Sequence, residues 1–258
     1  MVMKKLISLT ILLMAVFGGI VFAEEPAKEQ DVWNNPKNIS ASVWFMSDYV
    51  FRGLSNSDEN PAVQGSLDYT FKGFYVGIWG SNTSSTDAGI EIDYYGGYAE
   101  SFGNFGYDIM AIYYSYPDGG SNPEPDYFEA HLGLTYTFAG IPLTPTIGAG
   151  YNYSPDYFGE DGTANYVNGT IDFALPYGFT LGGEVGYQDV EGDKSTGDDI
   201  GMDGGDGFHY VHWRISLTKE IPKWFALDLG YHDTDDDAQD FFGDIADPRF
   251  VFTISRTF

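Results

Sequence analysis

The chain has 258 residues, 38 of them acidic and 12 basic, for a formal net charge of −26. A charge this negative repels phosphate backbones and excludes nucleic acid as a partner. The absence of cysteine excludes disulfides, thiolate metal sites and cysteine nucleophiles.

Residues 1–23 read as a cleaved signal peptide. Lys4 and Lys5 precede an uncharged apolar run over 6–22, and Val21 and Ala23 stand where a signal peptidase reads. An uncleaved anchor is the alternative, but the run is short for a membrane span. Without Lys4 and Lys5 the twelve basic residues fall to ten, against 38 acidic ones. Residues 24–37 are polar, contain Pro26 and Pro36, and read as a periplasmic linker.

Twelve segments then alternate apolar and polar residues with period two: 39–54, 60–71, 74–83, 88–101, 105–116, 126–138, 143–154, 164–175, 178–190, 207–219, 223–234 and 248–258. In the second, Val63, Leu67, Tyr69 and Phe71 share one face, and Gln64, Ser66, Asp68 and Thr70 the other. The joining segments alternate short and long. Lys72-Gly73, Gly103-Asn104, residues 139–141, Pro176-Tyr177 and residues 220–222 are turns. Longer loops rich in Gly, Asp, Asn and Pro lie at 55–59, 84–87, 117–125, 155–163, 191–206 and 235–247. This predicts an all-β fold over 38–258, a transmembrane antiparallel up-and-down β-barrel of 12 strands with both ends on the periplasmic side.

Aromatic residues mark both predicted rims. Phe71, Phe74, Phe102, Phe105, Phe138, Tyr177, Phe179, Trp224 and Phe225 flank the short turns. Tyr49, Phe51, Trp79, Tyr151, Tyr153, Tyr187 and Tyr231 stand at the opposite ends. Such rings favour the boundary between hydrocarbon and headgroups. A soluble barrel with these outer positions would aggregate. In the last strand Phe250, Phe252, Ile254 and Phe258 share the apolar face, and Arg256 interrupts it where a long side chain can snorkel to water.

If the apolar face meets lipid, the polar face lines a lumen. The alternation gives that lumen Asp48, Asp68, Glu91, Asp93, Asp108, Glu129, Asp172, Glu184 and Asp228, with the cations Arg52 and Arg214. Gln64, His131, Asn152 and His232 add neutral polar groups. Carboxylates are costly to bury dry and unpaired, so a wet, cation-preferring pore is one reading. The other is a plugged barrel in which Arg52 and Arg214 pair with the acids. Arg52 itself is either a charged element at the pore mouth or a partner of Asp48 or Asp68.

The fifth loop carries Asp193, Asp198, Asp199, Asp203 and Asp206 among its acids, the sixth Asp235, Asp236, Asp237, Asp240, Asp244 and Asp247. Residues 233–237 look like the start of a calcium loop, but Ala238 stands where that turn needs glycine. Loosely held Ca²⁺ or Mg²⁺ is the most these loops suggest, and no cofactor is called for. The histidines are His131, His209, His212 and His232. Ser216 lies near His212, but no Gly-x-Ser-x-Gly occurs and no third group orients the pair, so an enzyme is not expected. His209 and His212 read as rim residues.

The stretch Ser47-Asp48-Tyr49-Val50-Phe51-Arg52-Gly53, followed by Ser55, Ser57 and residues 61–65, resembles the opening of the TorF family of outer-membrane porins. So do Gly73-Phe74-Tyr75 with Trp79, Ser81 and Asn82, Glu91-x-Asp93-Tyr94-Tyr95-Gly96-Gly97-Tyr98, Tyr113-Tyr114-Ser115-Tyr116-Pro117, and Glu129 with Leu132-Gly133-Leu134. The match is dense over 41–138 and thins to a general barrel pattern beyond. The resemblance implies an outer-membrane, pore-forming protein and carries no catalytic residues. The expectation is a porin-like channel for passive diffusion of ions or small solutes, in a Gram-negative outer membrane after Sec-type export. Its partners would be membrane lipid and lipopolysaccharide, the barrel-assembly machinery and the solutes. The alternative is a non-conducting structural or surface-interaction barrel. Lipid-facing and subunit-facing apolar surfaces share one pattern, so oligomeric state stays open.

Overall fold

The computed structural model describes residues 32–86, 89–120, 124–192 and 207–258. The predicted signal peptide, the start of the linker and the fifth-loop acids Asp193 to Asp206 lie outside the described residues.

Twelve antiparallel strands close into a barrel. In chain order they are β1 (Ile39–Met46), β4 (Ala62–Phe71), β5 (Phe74–Asn82), β6 (Ile90–Phe102), β7 (Phe105–Ser115), β8 (Tyr127–Thr137), β9 (Thr146–Ser154), β10 (Ala164–Leu175), β11 (Phe179–Val190), β12 (Phe208–Ile221), β13 (Phe225–Thr234) and β14 (Arg249–Thr257). Two further strands, β2 (Val50–Phe51) and β3 (Leu54–Ser55), pair only with each other. The barrel closes where β1 meets both β4 and β14. There the Phe258 amide donates to the Ala41 carbonyl at 2.8 Å, so the terminal strand lies beside the first, as the alternation of short and long connections predicts.

Each predicted segment contains one barrel strand, and the differences are local. The first segment ends at Met46, because Ser47 and Asp48 turn the chain inward. The connection expected at 139–141 spans Phe138 to Pro145 and is closed by the Phe138 amide donating to the Pro145 carbonyl at 2.8 Å. The calcium-like residues instead start a short helix, α1 (Asp236–Phe242), whose N-cap Asp235 accepts from the Ala238 amide. Among the described residues no group of three or more His, Asp or Glu side chains could hold a metal ion.

The outward face is apolar. Phe45, Val63, Leu67, Val76, Ile109, Val185, Ile215, Leu229 and Phe252 are all exposed. At the short-turn rim this face ends in aromatics: Phe74 meets Tyr98 at 4.7 Å and Tyr136 meets Phe138 at 4.8 Å. Cations cover three rim rings there. Lys72 lies over Phe71, Lys219 over Phe179, and Arg256 over Phe258 at 4.6 Å. At the other rim Tyr151, Tyr153 and Tyr187 point outward as expected. Tyr49, Phe51 and Trp79 do not: they are buried inside. Trp79 shares the inward parity of β5 with Tyr75 and Ser81, and the other two ride on the inward-turned segment.

Candidate functional site

The interior has two zones. On the short-turn half the inward positions are small and polar, including Ser66, Thr70, Thr135, Thr137, Thr146, Thr170, Thr180 and Thr218, and several are only half-buried. Four aspartates face inward there. Asp68 lies three residues before the end of β4, and Asp108 three after the start of β7. Asp172 lies three before the end of β10, and Asp228 three after the start of β13. In barrel order they fall on every third strand, which spaces them evenly around the wall.

Their partners differ around that ring. Tyr95 donates to Asp68, and Tyr75 to Asp108 at 2.8 Å. Arg214 donates to Asp228, which also accepts from Thr218 at 2.6 Å. One side of the ring is thus held by neutral hydroxyls and the other by a cation.

The long-loop half is filled. Trp44, Trp79, Tyr95, Tyr114, Tyr116 and Tyr127 form a buried aromatic layer with Tyr49 and Phe51. Tyr114 stacks on Tyr127 at 4.3 Å, and Tyr157 from the loop after β9 meets Tyr127 at 4.9 Å. A second cluster joins Val190, Phe208 and Tyr210 to Leu54 of β3 and to Phe241 and Phe242 of α1.

The β2–β3 hairpin projects into this layer with Arg52 and Gly53 at its tip. Arg52 has φ of 48° and Gly53 of 88°, the two left-handed positions of a tight hairpin turn. A Cβ on Gly53 would lie 2.5 Å from His212 Cβ and 2.9 Å from Thr234 Cγ2, so only glycine seats here. The Arg52 guanidinium is buried. Its Nη1 donates to Glu129 Oε1 and to Gln188 Oε1, each at 2.9 Å, and its Nη2 donates to Glu129 Oε2 at 2.7 Å. Its Cζ lies 4.1 Å from the centre of the Tyr166 ring. Glu129 also accepts from Asn152 at 2.9 Å and Tyr114 at 3.2 Å. Carboxylate, amide and ring together satisfy a planar cation on several sides.

The scaffold reading of Arg52 pairs it with Asp48 or Asp68, and its hydrogen bonds go instead to Glu129 and Gln188. Asp48 sits at the hairpin root, where it accepts from Arg249 at 3.1 Å, Ser55 at 2.6 Å and Ser57 at 2.8 Å. Leaving the strand after Met46 carries Arg52 across the lumen, beyond local neighbours. Alternation alone did not single out Gln188, Tyr166 and Arg249. Gln188 was legible as an inward position two residues beyond Gly186 and four beyond Glu184 on β11. His212, expected at a rim, is buried and stacked on Tyr166, whose hydroxyl lies 2.9 Å from His212 Nε2. Ser216 is not its partner in that bond.

The remaining acids are less fully paired. Glu91 accepts from the Tyr49 hydroxyl at 3.0 Å through one oxygen. Its other oxygen, one of Asp108 and both of Asp93 make no hydrogen bond to the described protein groups. Asp93 is 0 % exposed and stands in register between Trp79 and Tyr114. Glu184 accepts from Asn168 at 2.9 Å and Tyr166 at 3.2 Å.

Comparison with known proteins fits this geometry. A family model described as "Bacterial protein of unknown function (Gcw_chp)" matches residues 30–258. The chain belongs to the Gcw_chp family. No curated protein matches it in sequence. Among solved structures the Gcw_chp barrel is similar to a KdgM porin, at TM-score 0.53 and 11 % identity over 85 % of this chain and 98 % of that one. A structure titled as KdgM porin in complex with disordered oligogalacturonate aligns at TM-score 0.54 and 11 % identity with the same coverage. A NanC porin aligns at TM-score 0.51 and 10 % identity, again over 85 % and 98 %. The Gcw_chp barrel therefore has a porin-like fold.

Proposed function

We propose that this barrel is an outer-membrane channel for passive diffusion of ions and small solutes, with a preference for cations. The observation that carries the reading is a closed twelve-stranded wall, apolar outside and acidic inside. An apolar band ending in aromatic and basic residues suits a lipid bilayer. On this reading the short turns face the periplasm, residues 1–23 direct export, and the chain meets lipid and lipopolysaccharide. The resemblance to the TorF porins supports the same assignment.

Cation preference follows from the wall charges. Asp68, Asp108, Asp172 and Asp228 ring the periplasmic half of the pore lining, with Arg214 the cation set among them. Glu91, Asp93 and Glu129 lie toward the long-loop end and Glu184 near mid-strand, and Arg52 compensates Glu129. Asp48 and Arg249 neutralise one another near the surface. The net acidic lining focuses a negative potential in a narrow, low-dielectric passage.

A non-conducting barrel is the second reading, and the aromatic filling of the outer half favours it. Purified protein in liposomes separates the two. Potassium efflux above that of protein-free vesicles is expected from the channel, and efflux equal to them would leave the non-conducting reading.

A further inference from the structure

We propose that the β2–β3 hairpin is the gate of this channel and that Arg52 is its latch. The inference rests on the channel reading above.

Three observations carry it. First, the hairpin lies across the interior without joining the wall. Its two strands pair with each other and with no barrel strand, so it can leave without breaking the barrel ladder. Second, its root is fixed. Asp48 is held by Arg249, Ser55 and Ser57, the Tyr49 amide donates to the Ser57 hydroxyl at 2.8 Å, and the Asn56 amide donates to the Tyr49 carbonyl at 2.6 Å. Third, its tip is held by side chains: Arg52 on Glu129, Gln188 and Tyr166, Phe51 at 6.2 Å from Tyr114, and Leu54 in the second aromatic cluster. A firm root and a side-chain-held tip make a hinge.

The energetics allow two states. A two-stranded ribbon alone is marginal in water, so its inward position depends on the tip. For a buried ion pair the Coulombic gain is largely offset by desolvation. In an open, wet lumen Arg52 and Glu129 both recover hydration, so the seated and withdrawn states differ by little. The hairpin also sits in the aromatic layer at the filled end of the barrel, so its withdrawal takes Phe51, Arg52 and Leu54 out of that end.

Planar-bilayer recording on the full-length protein and two variants tests the gate. Glu129→Gln keeps the side chain's size and one acceptor oxygen, and removes the charge and the second acceptor that hold Arg52. The second variant replaces residues 50–55 by Asn-Gly, a two-residue turn that the hydrogen bond between Tyr49 and Asn56 can close. A heat-dependent mobility shift on gels confirms that each barrel is folded. The native protein is expected to dwell mostly in a low-conducting level, Glu129→Gln to spend several-fold more time in the high level, and the replacement to stay there. Equal conductance and occupancy in all three overturns the gate and leaves the channel standing. Opening in the replacement with none in Glu129→Gln overturns the latch. No conductance from any of the three overturns the channel reading and the gate with it.

Discussion

Arg52 in the hairpin turn and Glu129 on β8 are joined by two hydrogen bonds, of 2.9 and 2.7 Å, across 77 residues of sequence. Their side chains are 5 % and 1 % exposed. Removing one member of such a buried pair leaves the other charge uncompensated, at a cost of roughly 3–5 kcal/mol. In Glu129→Ala that cost is relieved by release of the hairpin. Trypsin, which cleaves after arginine, should therefore spare Arg52 in the native protein and cut it in Glu129→Ala. Equal resistance in both would show that Arg52 stays seated without its partner.

Gly53 makes the same point through sterics. Its φ of 88° is left-handed, and an added Cβ would meet His212 Cβ at 2.5 Å. Both effects oppose seating in Gly53→Ala, at about 1–3 kcal/mol for the backbone alone. This variant should show trypsin cleavage after Arg52 with Glu129 intact. Full resistance would mean that the wall yields at His212.

The barrel was legible in the sequence because its physics is local. Alternation such as Val63, Leu67 and Phe71 against Gln64, Asp68 and Thr70 follows from the pleat. Turns such as Lys72-Gly73, with φ of 50° and 84°, follow from the backbone twist of hairpins. The inward-turned hairpin was not legible, because its seat depends on contacts between distant strands. Val50, Phe51 and Leu54 read as a continuation of β1, Ser55 as the start of the first long loop, and Arg52-Gly53 lacks the Asn or Asp that usually signals a two-residue turn. Trp79 and Tyr49 were assigned to the lipid boundary because an aromatic residue suits a rim or a filled interior equally well. The acids could be put on the inward face by parity, but their partners could not. Arg249, which holds Asp48, lies 201 residues away in the chain.

The apolar outward surface, which the proposed function sets against lipid, yields a prediction about stability. Leu67 is exposed near the middle of β4 and pairs in register with Ala41 and Ile78. An arginine there would face hydrocarbon, so Leu67→Arg should lower the unfolding free energy in vesicles by roughly 2–4 kcal/mol. Ser66→Arg points inward toward Asp68 and should cost much less. Equal urea midpoints for the two variants would refute the assigned outward face.

Arg214 donates to Asp228 on one side of the aspartate ring, while Asp68 and Asp108 accept from tyrosines. Arg214→Gln removes the cation from the ring and should move the reversal potential in a salt gradient toward the potassium equilibrium potential. Asp68→Asn and Asp108→Asn should move it the other way. An unchanged potential in all three variants would place the controlling charges elsewhere.

An acid-lined, conducting barrel is tested most directly by the reversal potential of the native protein in a planar bilayer under a potassium chloride gradient. Discrete conductance steps reversing on the potassium side of zero are expected. Steps reversing on the chloride side, or a membrane without steps even after replacement of the hairpin, would contradict it.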